Sequence, residues 1–223
     1  MQIWNREGGG KVELQLALDD MTLDEALALV KSVQVHVDII EVGTPMVMEY
    51  GMAPVRELKK LFPDKKVLAD LKIMDAGEYE AEVALRAGAD YITVLGVTDE
   101  RTVQGCMEAA GRYGGCVAAD MICVDDMAGK IRRLEEMGVD FISVHTGVDQ
   151  QAMGRTPLDD LKVVRETVKT AKVSVAGGIC AETLPAYQKY KPEVIIVGSG
   201  ITHAEDPKEA AEKIHKIIKA QKF

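Results

Sequence analysis

The chain of 223 residues is 47% hydrophobic and 28% charged, a length and composition that fit a single globular α/β domain. Its net charge of −9 argues against nucleic acid or an anionic membrane as the main partner, and we find no membrane-spanning apolar run and no signal-peptide pattern. Its four cysteines show no C-x-x-C spacing, which predicts reduced thiols in a cytoplasmic protein rather than disulfides or a zinc site.

Residues 1–11 contain the only tryptophan, Trp4, and three consecutive glycines, and we interpret them as a flexible leader. In residues 12–223 we expect one catalytic domain, in which short apolar runs alternate with longer charged, helical runs. The predicted strands are Val12–Leu18, Val37–Val42, Lys66–Leu71, Tyr91–Leu95, Cys116–Asp120, Phe141–His145, Lys172–Ala176 and Val194–Val197. The predicted helices are Leu23–Val35, Met46–Leu61, Glu78–Ala87, Glu100–Tyr113, Asp126–Met137, Leu158–Thr170, Ala181–Tyr190 and Pro207–Ala220.

Eight strands alternating with eight helices, each strand apolar on both faces, predict a parallel sheet covered by helices. Eight units favour closure into a (β/α)8 TIM barrel, with a doubly wound open sheet as the alternative. In a closed barrel the carboxyl ends of all strands meet at one face, where the active sites of such enzymes lie. The residues expected there are Asp19, Glu41, Asp70, Lys72, Asp120, His145, Gly177, Gly178, Gly198 and Ser199.

Three charged side chains, Asp70, Lys72 and Asp75, lie within six residues at the end of the third predicted strand and in the turn that follows it. Side chains two apart in a strand point to the same face, so Asp70 and Lys72 should lie side by side, and Asp75 should follow in the turn before a helix. Such a carboxylate and ammonium can bind a metal, move a proton or stabilise an enolate. A simple surface salt bridge is the alternative.

Glu41 and Asp70 end neighbouring predicted strands, and two such oxygen ligands suit Mg²⁺. The alternative is a carboxylate pair balanced by Lys72. His145 is the only histidine at a strand end, which makes it a candidate general acid or base, or else a structural hydrogen-bonding residue. Asp120, with Asp19, would orient Lys72 or substrate hydroxyls.

Two glycine-rich turns close the last two predicted strands, at Gly177-Gly178 and at Gly198-Ser199-Gly200. Small residues there let backbone N–H groups face a phosphate, which is the usual anion position in such barrels. The alternative is two tight turns that simply require glycine. We favour a phosphate site.

The chain resembles the 3-hexulose-6-phosphate synthases, a family of the orotidine-monophosphate decarboxylase suprafamily, from Val12 to Ile218. The segments that carry the resemblance are Leu16-Ala17-Leu18-Asp19, Glu41-Val42-Gly43-Thr44-Pro45, Asp70-Leu71-Lys72-Ile73-Met74-Asp75-Ala76-Gly77-Glu78, Val94-Leu95-Gly96-Val97-Thr98-Asp99, Asp120-Met121-Ile122, His145-Thr146-Gly147 and Ala176-Gly177-Gly178. The Asp-x-Lys-x-x-Asp block with its flanks is the most specific of them.

The resemblance implies a homodimer in which Asp75 reaches the partner's site, and Mg²⁺ held by Glu41 and Asp70. It implies that ribulose 5-phosphate loses a C1 proton to give an enediolate, which adds to formaldehyde. Lys72 and Asp75 would stabilise this intermediate, and His145 would carry the proton. The glycine turns would bind the phosphate, and Asp19 with Asp120 the substrate hydroxyls.

Two other functions stay open. The related 3-keto-L-gulonate 6-phosphate decarboxylases make the same kind of enediolate by losing CO₂, but usually carry arginines at the positions of Val148 and Ser199. The absence of these arginines favours the aldol reaction. A sugar-phosphate sensor without turnover is the remaining alternative, and the complete set of Asp70, Lys72, Asp75 and His145 argues against it.

Overall fold

The computed structural model describes residues 11–220. Its strands are β1 (Glu13–Leu18), β2 (Ile39–Val42), β3 (Lys66–Ile73), β4 (Tyr91–Leu95), β5 (Cys116–Asp120), β6 (Phe141–His145), β7 (Lys172–Ala176) and β8 (Val194–Val197). Its helices are α1 (Leu23–Val33), α2 (Thr44–Tyr50), α3 (Ala53–Leu61), α4 (Gly77–Ala87), α5 (Glu100–Tyr113), α6 (Met127–Glu136), α7 (Val148–Ala152), α8 (Leu158–Thr167), α9 (Leu184–Gln188), α10 (Ser199–Thr202) and α11 (Pro207–Ala220).

The eight strands form a closed parallel barrel, because β8 pairs with β1 as well as with β7. This confirms the predicted (β/α)8 fold and excludes the open sheet. All strands run in one direction, so their carboxyl ends surround a single opening, which we call the mouth. We call the opposite end of the barrel the base.

The main hydrophobic core lies between the barrel and its helices rather than inside the barrel. Side chains such as Leu16, Ile92 and Val144 point outward into this layer and are fully buried. A second, smaller cluster closes the lower part of the barrel and includes Phe141, packed against Tyr91. The expectation that every strand is apolar on both faces was wrong, because the inward faces also carry polar side chains. These are Gln15, Glu41, Asp70, Thr93, Asp120, Ser143 and Ser174.

A repeated carboxylate contact joins the strands in pairs at the base. The residue before each even-numbered strand accepts a hydrogen bond from a backbone N–H of the preceding strand, and its own N–H donates back to the same residue. The four contacts run from Leu14 to Asp38 at 3.0 Å, Val67 to Asp90 at 2.8 Å, Val117 to Asp140 at 2.8 Å and Val173 to Glu193 at 2.7 Å. Each of these carboxylates satisfies a backbone donor near the start of an odd-numbered strand and so ties that strand to the next one.

Several predicted boundaries were wrong. The helix expected over 46–61 is two helices, because Gly51 adopts a left-handed φ of 57° and Pro54 begins a new first turn. α9 is shorter than predicted, and the short helices α7 and α10 were not predicted. β3 extends two residues further, to Ile73.

The predicted leader lies outside the described residues, apart from Lys11. The Lys11 ammonium pairs with Asp38 at 2.6 Å. Among residues 11–220, no helix has the length and apolar character needed to cross a membrane.

Candidate active site

The mouth opens into a cavity of about 820 Å³ that continues into the barrel. Ten of the eleven residues proposed from the sequence line it: Asp19, Glu41, Asp70, Lys72, Asp120, His145, Gly177, Gly178, Gly198 and Ser199. They come from seven of the eight strands and the turns that follow them, so closure of the barrel is what brings them together. Asp75 is the exception and is described below.

A bulge in β3 arranges Asp70 and Lys72. Ala69 pairs with Ile92 and Ile73 pairs with Val94, so three residues of β3 lie opposite the single residue between those two in β4. Lys72 lies in this bulge with a φ of 48°, a left-handed conformation that costs a non-glycine residue on the order of 1–3 kcal/mol. Strain of this kind persists only where surrounding contacts hold it, and it is frequent at functional sites.

An ionic chain runs across the mouth from β3 to β6. The Lys72 ammonium contacts Asp70 and lies 3.3 Å from Asp120 Oδ2, and the same Oδ2 lies 2.9 Å from His145 Nδ1. Burial lowers the pKa of Lys72, but the charges of Asp70 and Asp120 outweigh burial and raise it above its ordinary value. Lys72 is therefore an ammonium at neutral pH and acts as a fixed positive charge, not as a base.

Asp120 also determines which nitrogen of His145 carries a proton. Burial alone would raise the pKa of Asp120, but the hydrogen bond from His145 and the charge of Lys72 lower it below its usual range. An ionised carboxylate only accepts hydrogen bonds, so neutral His145 carries its proton on Nδ1. Its Nε2 is then free to accept a proton from a substrate.

On the opposite side of the mouth, ionised carboxylates are disfavoured. Burial, followed by the charge of Asp70, raises the pKa of Glu41 to about 8, although Gln15 Nε2 donates a hydrogen bond to Glu41 at 2.6 Å. Burial and Asp70 likewise raise the pKa of Asp19. Both shifts show that this part of the site would be stabilised by an additional cation.

Mg²⁺ fits this donor set. Among residues 11–220 no three His, Cys, Asp or Glu side chains form a metal cluster, so the protein offers no complete cage. Mg²⁺ is commonly bound by one or two carboxylates, with water and substrate oxygens as the other ligands. Glu41 and Asp70, on neighbouring strands and both lining the cavity, supply two such carboxylates, and a cation beside them would offset the cost of ionising Glu41.

Glycines around the mouth make room for other groups. An added Cβ at Gly43 would overlap the Asp19 carboxylate, and one at Gly200 would overlap the backbone oxygen of Ile179. Gly177 and Gly178 have left-handed φ values of 119° and 64°, which favour glycine. The turns after β7 and β8 are therefore in close contact, and both line the cavity.

Asp75 does not line the cavity. It is exposed, follows β3 and precedes α4, and lines a separate surface groove with Tyr79 and Arg101. Thr98 Oγ1 donates to the backbone oxygen of Met74 at 2.6 Å and so fixes the turn that carries Asp75. Met74 and Tyr79 are large exposed apolar side chains on the same surface.

Four residues of the mouth were missed by the sequence analysis. Gln15 contacts Glu41, Thr44 and Thr93 contact Asp70, and the exposed His203 pairs with Asp20 at 2.9 Å. Gln15 and Thr93 are polar residues inside otherwise apolar strands, which is the one signal that could have revealed them. Thr44 lies within a segment that carries the resemblance but was given no role, and nothing in the sequence distinguishes His203 from an ordinary loop residue.

Comparisons with known proteins assign the chain to a family. Residues 12–214 match the family model described as Orotidine 5'-phosphate decarboxylase / HUMPS family. The chain is 48% identical over 207 residues to the 3-hexulose-6-phosphate synthase of Bacillus subtilis, covering 93% of this chain and 99% of the relative.

Two solved structures extend this result. The 3-hexulose-6-phosphate synthase from Salmonella typhimurium superposes with a TM-score of 0.92 at 49% identity, covering 94% of this chain and 99% of that one. KGPDC from Streptococcus mutans gives a TM-score of 0.85 at 28% identity, covering 94% and 98%. The chain belongs to the orotidine 5'-phosphate decarboxylase / HUMPS family and is an enzyme with the fold of that family.

Proposed function

We propose that this enzyme is a 3-hexulose-6-phosphate synthase. It would catalyse the reversible addition of formaldehyde to D-ribulose 5-phosphate through a 1,2-enediolate, giving D-arabino-hex-3-ulose 6-phosphate. The observation that carries the proposal is the ionic chain of the mouth, in which Lys72 is held between Asp70 and Asp120 and Asp120 also binds His145. The identity of 48% to a relative of that name supports the choice of reaction.

The proposed proton transfers use His145. Its Nε2 removes the C1 proton of ribulose 5-phosphate, and the electron pair of that C–H bond forms the enediolate. C1 of the enediolate then attacks the carbon of formaldehyde, and a new C–C bond forms. The former formaldehyde oxygen becomes an alkoxide and takes the proton back from His145, so that the atoms and charges balance.

The negative charge on the enediolate is stabilised by groups already in place. The Lys72 ammonium provides a fixed positive charge in a site largely withdrawn from water, where such a charge is worth most. Mg²⁺ bound by Glu41 and Asp70 would supply Lewis-acid stabilisation of the substrate oxygens. Asp120 orients Lys72 and His145, and Asp19 would bind a substrate hydroxyl.

We place the substrate phosphate at the turns after β7 and β8. Gly177, Gly178, Gly198 and Ser199 line the same cavity as Lys72 and His145. Backbone N–H groups in such turns can bind an anion without a basic side chain. This arrangement would reconcile an anionic substrate with a chain whose net charge is −9.

We further propose that the enzyme is a homodimer with shared active sites, in which Asp75 enters the partner's mouth. The exposure of Asp75, Met74 and Tyr79 on one surface supports this assembly. Mixing Lys72→Ala with Asp75→Asn protein, each inactive alone, should restore part of the activity by forming one intact site per mixed dimer. Mixing that restores no activity would contradict a shared site.

The second candidate is a decarboxylase, because a KGPDC structure resembles the chain with a TM-score of 0.85. Against it, Val148 and Ser199 stand where those decarboxylases usually carry arginine. A third possibility is sugar-phosphate binding without turnover. It would not explain why Lys72 is held in a strained backbone conformation.

The decisive experiment is a coupled assay of the purified protein with each substrate, with and without EDTA. We expect ribulose 5-phosphate to disappear only when formaldehyde is present, and EDTA to stop the reaction. CO₂ release from 3-keto-L-gulonate 6-phosphate at a higher rate would instead support the decarboxylase. Binding of ribulose 5-phosphate without either reaction would support a sensor.

A further inference from the structure

The bulge of β3 has one partner across the sheet, Thr93 in the middle of β4. Thr93 is buried, with 6% of its surface exposed. Its Oγ1 accepts a hydrogen bond from the Lys72 backbone N–H at 2.9 Å and donates one to Asp70 Oδ1 at 2.7 Å. A single hydroxyl therefore contacts both ends of the bulge.

The bulge changes where the Lys72 side chain lies. In a regular strand, Lys72 would lie about 6–7 Å beyond Asp70 along the strand axis. In the bulge, both residues lie opposite Thr93, and the ammonium contacts Asp70 while reaching Asp120 at 3.3 Å. The position of this charge thus depends on the left-handed backbone at Lys72.

The other side-chain hydrogen bonds to this segment come from Thr44 and do not reach the Lys72 backbone. Thr44 Oγ1 bonds the Asp70 carboxylate and backbone oxygen, each at 2.8 Å, and so fixes Asp70 from the side of β2. Neither bond involves Lys72. The hydroxyl of Thr93 is the group that connects the Lys72 backbone to the Asp70 carboxylate.

We propose that Thr93 is a positioning residue that holds the bulge of β3 and thereby places Lys72 beside Asp70 for catalysis. Thr93 touches no reacting atom in this role. The proposal deepens the proposed function and rests on it for its kinetic consequence, but the structural consequence stands apart from any activity. Without the hydroxyl, the Lys72 N–H loses its acceptor and the strained backbone loses its support.

The test compares Thr93→Val, which keeps the branched shape but removes the hydroxyl, with Thr93→Ser, which keeps the hydroxyl. Thr170→Val is the control for losing a threonine hydroxyl that bonds a carboxylate away from the mouth, because the exposed Thr170 Oγ1 donates to Glu135 at 3.0 Å at the base of the barrel. Hydrogen exchange of the Lys72 amide reports the hydrogen bond directly. Turnover of ribulose 5-phosphate with formaldehyde reports its consequence.

We expect Thr93→Val to speed exchange of the Lys72 amide and to lower kcat by about 10- to 100-fold, the usual effect of losing a group that supports a site residue. KM should change less, because the phosphate turns lie on other strands. Thr93→Ser should keep amide protection and most of the turnover, and Thr170→Val should match the wild type. If Thr93→Val does not fold, Thr93→Cys replaces it with the same expectation, since a thiol is a weak hydrogen-bonding group.

A protected Lys72 amide and normal kcat in Thr93→Val would overturn the proposal. So would a loss in Thr93→Ser as large as in Thr93→Val, because the effect would then come from packing. If the wild type itself shows no aldol turnover, the proposed function fails. In that event, the exchange rates of the Lys72 amide alone decide whether Thr93 holds the bulge.

Discussion

Four carboxylates at the base of the barrel and four at the mouth lie in very different surroundings. At the base, Asp38, Asp90, Asp140 and Glu193 each accept a backbone N–H from a neighbouring strand. At the mouth, Asp19, Glu41, Asp70 and Asp120 surround one ammonium and one imidazole. Burial raises the pKa of Asp140 at the base, but the largest rise among these eight groups is that of Glu41, at the mouth.

The difference separates carboxylates that maintain the fold from those available for chemistry. A carboxylate that accepts a backbone N–H satisfies a donor that would otherwise be buried without a partner, so its loss destabilises the chain. At the mouth, Lys72 balances Asp70 and Asp120. The raised pKa values of Glu41 and Asp19 show, however, that ionising these two carboxylates costs folding free energy, which an added cation would offset. Substitutions at the base should therefore lower the stability and leave the activity unchanged. Substitutions at the mouth should lower the activity without lowering the stability in the same way.

The largest expected effect is on turnover at the mouth. Lys72→Ala or Asp70→Asn should lower kcat by more than about 100-fold, because each removes one preorganised charge from the site. Steady-state kinetics with ribulose 5-phosphate and formaldehyde measures this loss, and thermal melting checks that the variants fold. Near-normal rates in either variant would remove the residue from the mechanism.

At the base, Asp90→Ala should lower the free energy of unfolding by about 1–3 kcal/mol, because the Val67 N–H loses its buried acceptor. The Lys59 ammonium, 2.9 Å from Asp90, also loses its carboxylate partner and keeps its hydrogen bond to the Lys65 backbone oxygen, at 3.0 Å. Urea denaturation measures the change. The control is Asp64→Ala, which removes an exposed carboxylate between α3 and β3. Unchanged kcat is expected in both variants, and a loss of turnover without a loss of stability would break the comparison.

Glu41→Gln should stabilise the metal-free protein, with a gain that grows as the pH rises. In the unfolded chain Glu41 ionises near its ordinary pKa of 4.5, but in the folded state its pKa is about 8. Wild-type stability should therefore fall between these pH values, and the glutamine variant should escape that loss. Each kcal/mol corresponds to about 2–4 °C in Tm for a chain of this size.

Thermal melting in EDTA at pH 5 and pH 8 provides the measurement. Adding Mg²⁺ should then raise the Tm of the wild type but not that of Glu41→Gln, since a ligand stabilises only the state that binds it. Equal shifts in both proteins would show that Glu41 does not bind the metal.

The smallest expected effect is a change of specificity at the rim. Val148 is exposed at the start of α7 and lines the cavity, so Val148→Arg should raise any CO₂ release from 3-keto-L-gulonate 6-phosphate. Val35→Arg, at an exposed position outside the cavity, is the control. If the two variants release CO₂ equally, the residue at 148 does not select the reaction.

The fold and much of the mouth could be predicted because both follow from alternation along the chain. Strands and helices alternate without a break in order, and strand direction then assigns Asp70, Asp120 and His145 to one end. The helix break at Gly51 could not be predicted, because glycine is also tolerated within helices. α7 and α10 are too short to show a helical period.

The side-chain network of the mouth depends on register, which a sequence does not display. Strand spacing predicts that Asp70 and Lys72 share a face, but the bulge that brings them opposite Thr93 follows from the pairing of β3 with β4. The contacts of Gln15 with Glu41 and of Thr93 with the bulge were missed for this reason, although both residues are visible as polar positions within strands.

The carboxylate contacts at the base connect β1 with β2, β3 with β4, β5 with β6 and β7 with β8. The barrel is thus assembled from four two-stranded blocks. New termini introduced between blocks, for example in α5, would leave every such contact inside a continuous piece of polypeptide. New termini inside a block, for example in α4, would separate Val67 from Asp90, so circular permutants should tolerate the first opening better than the second.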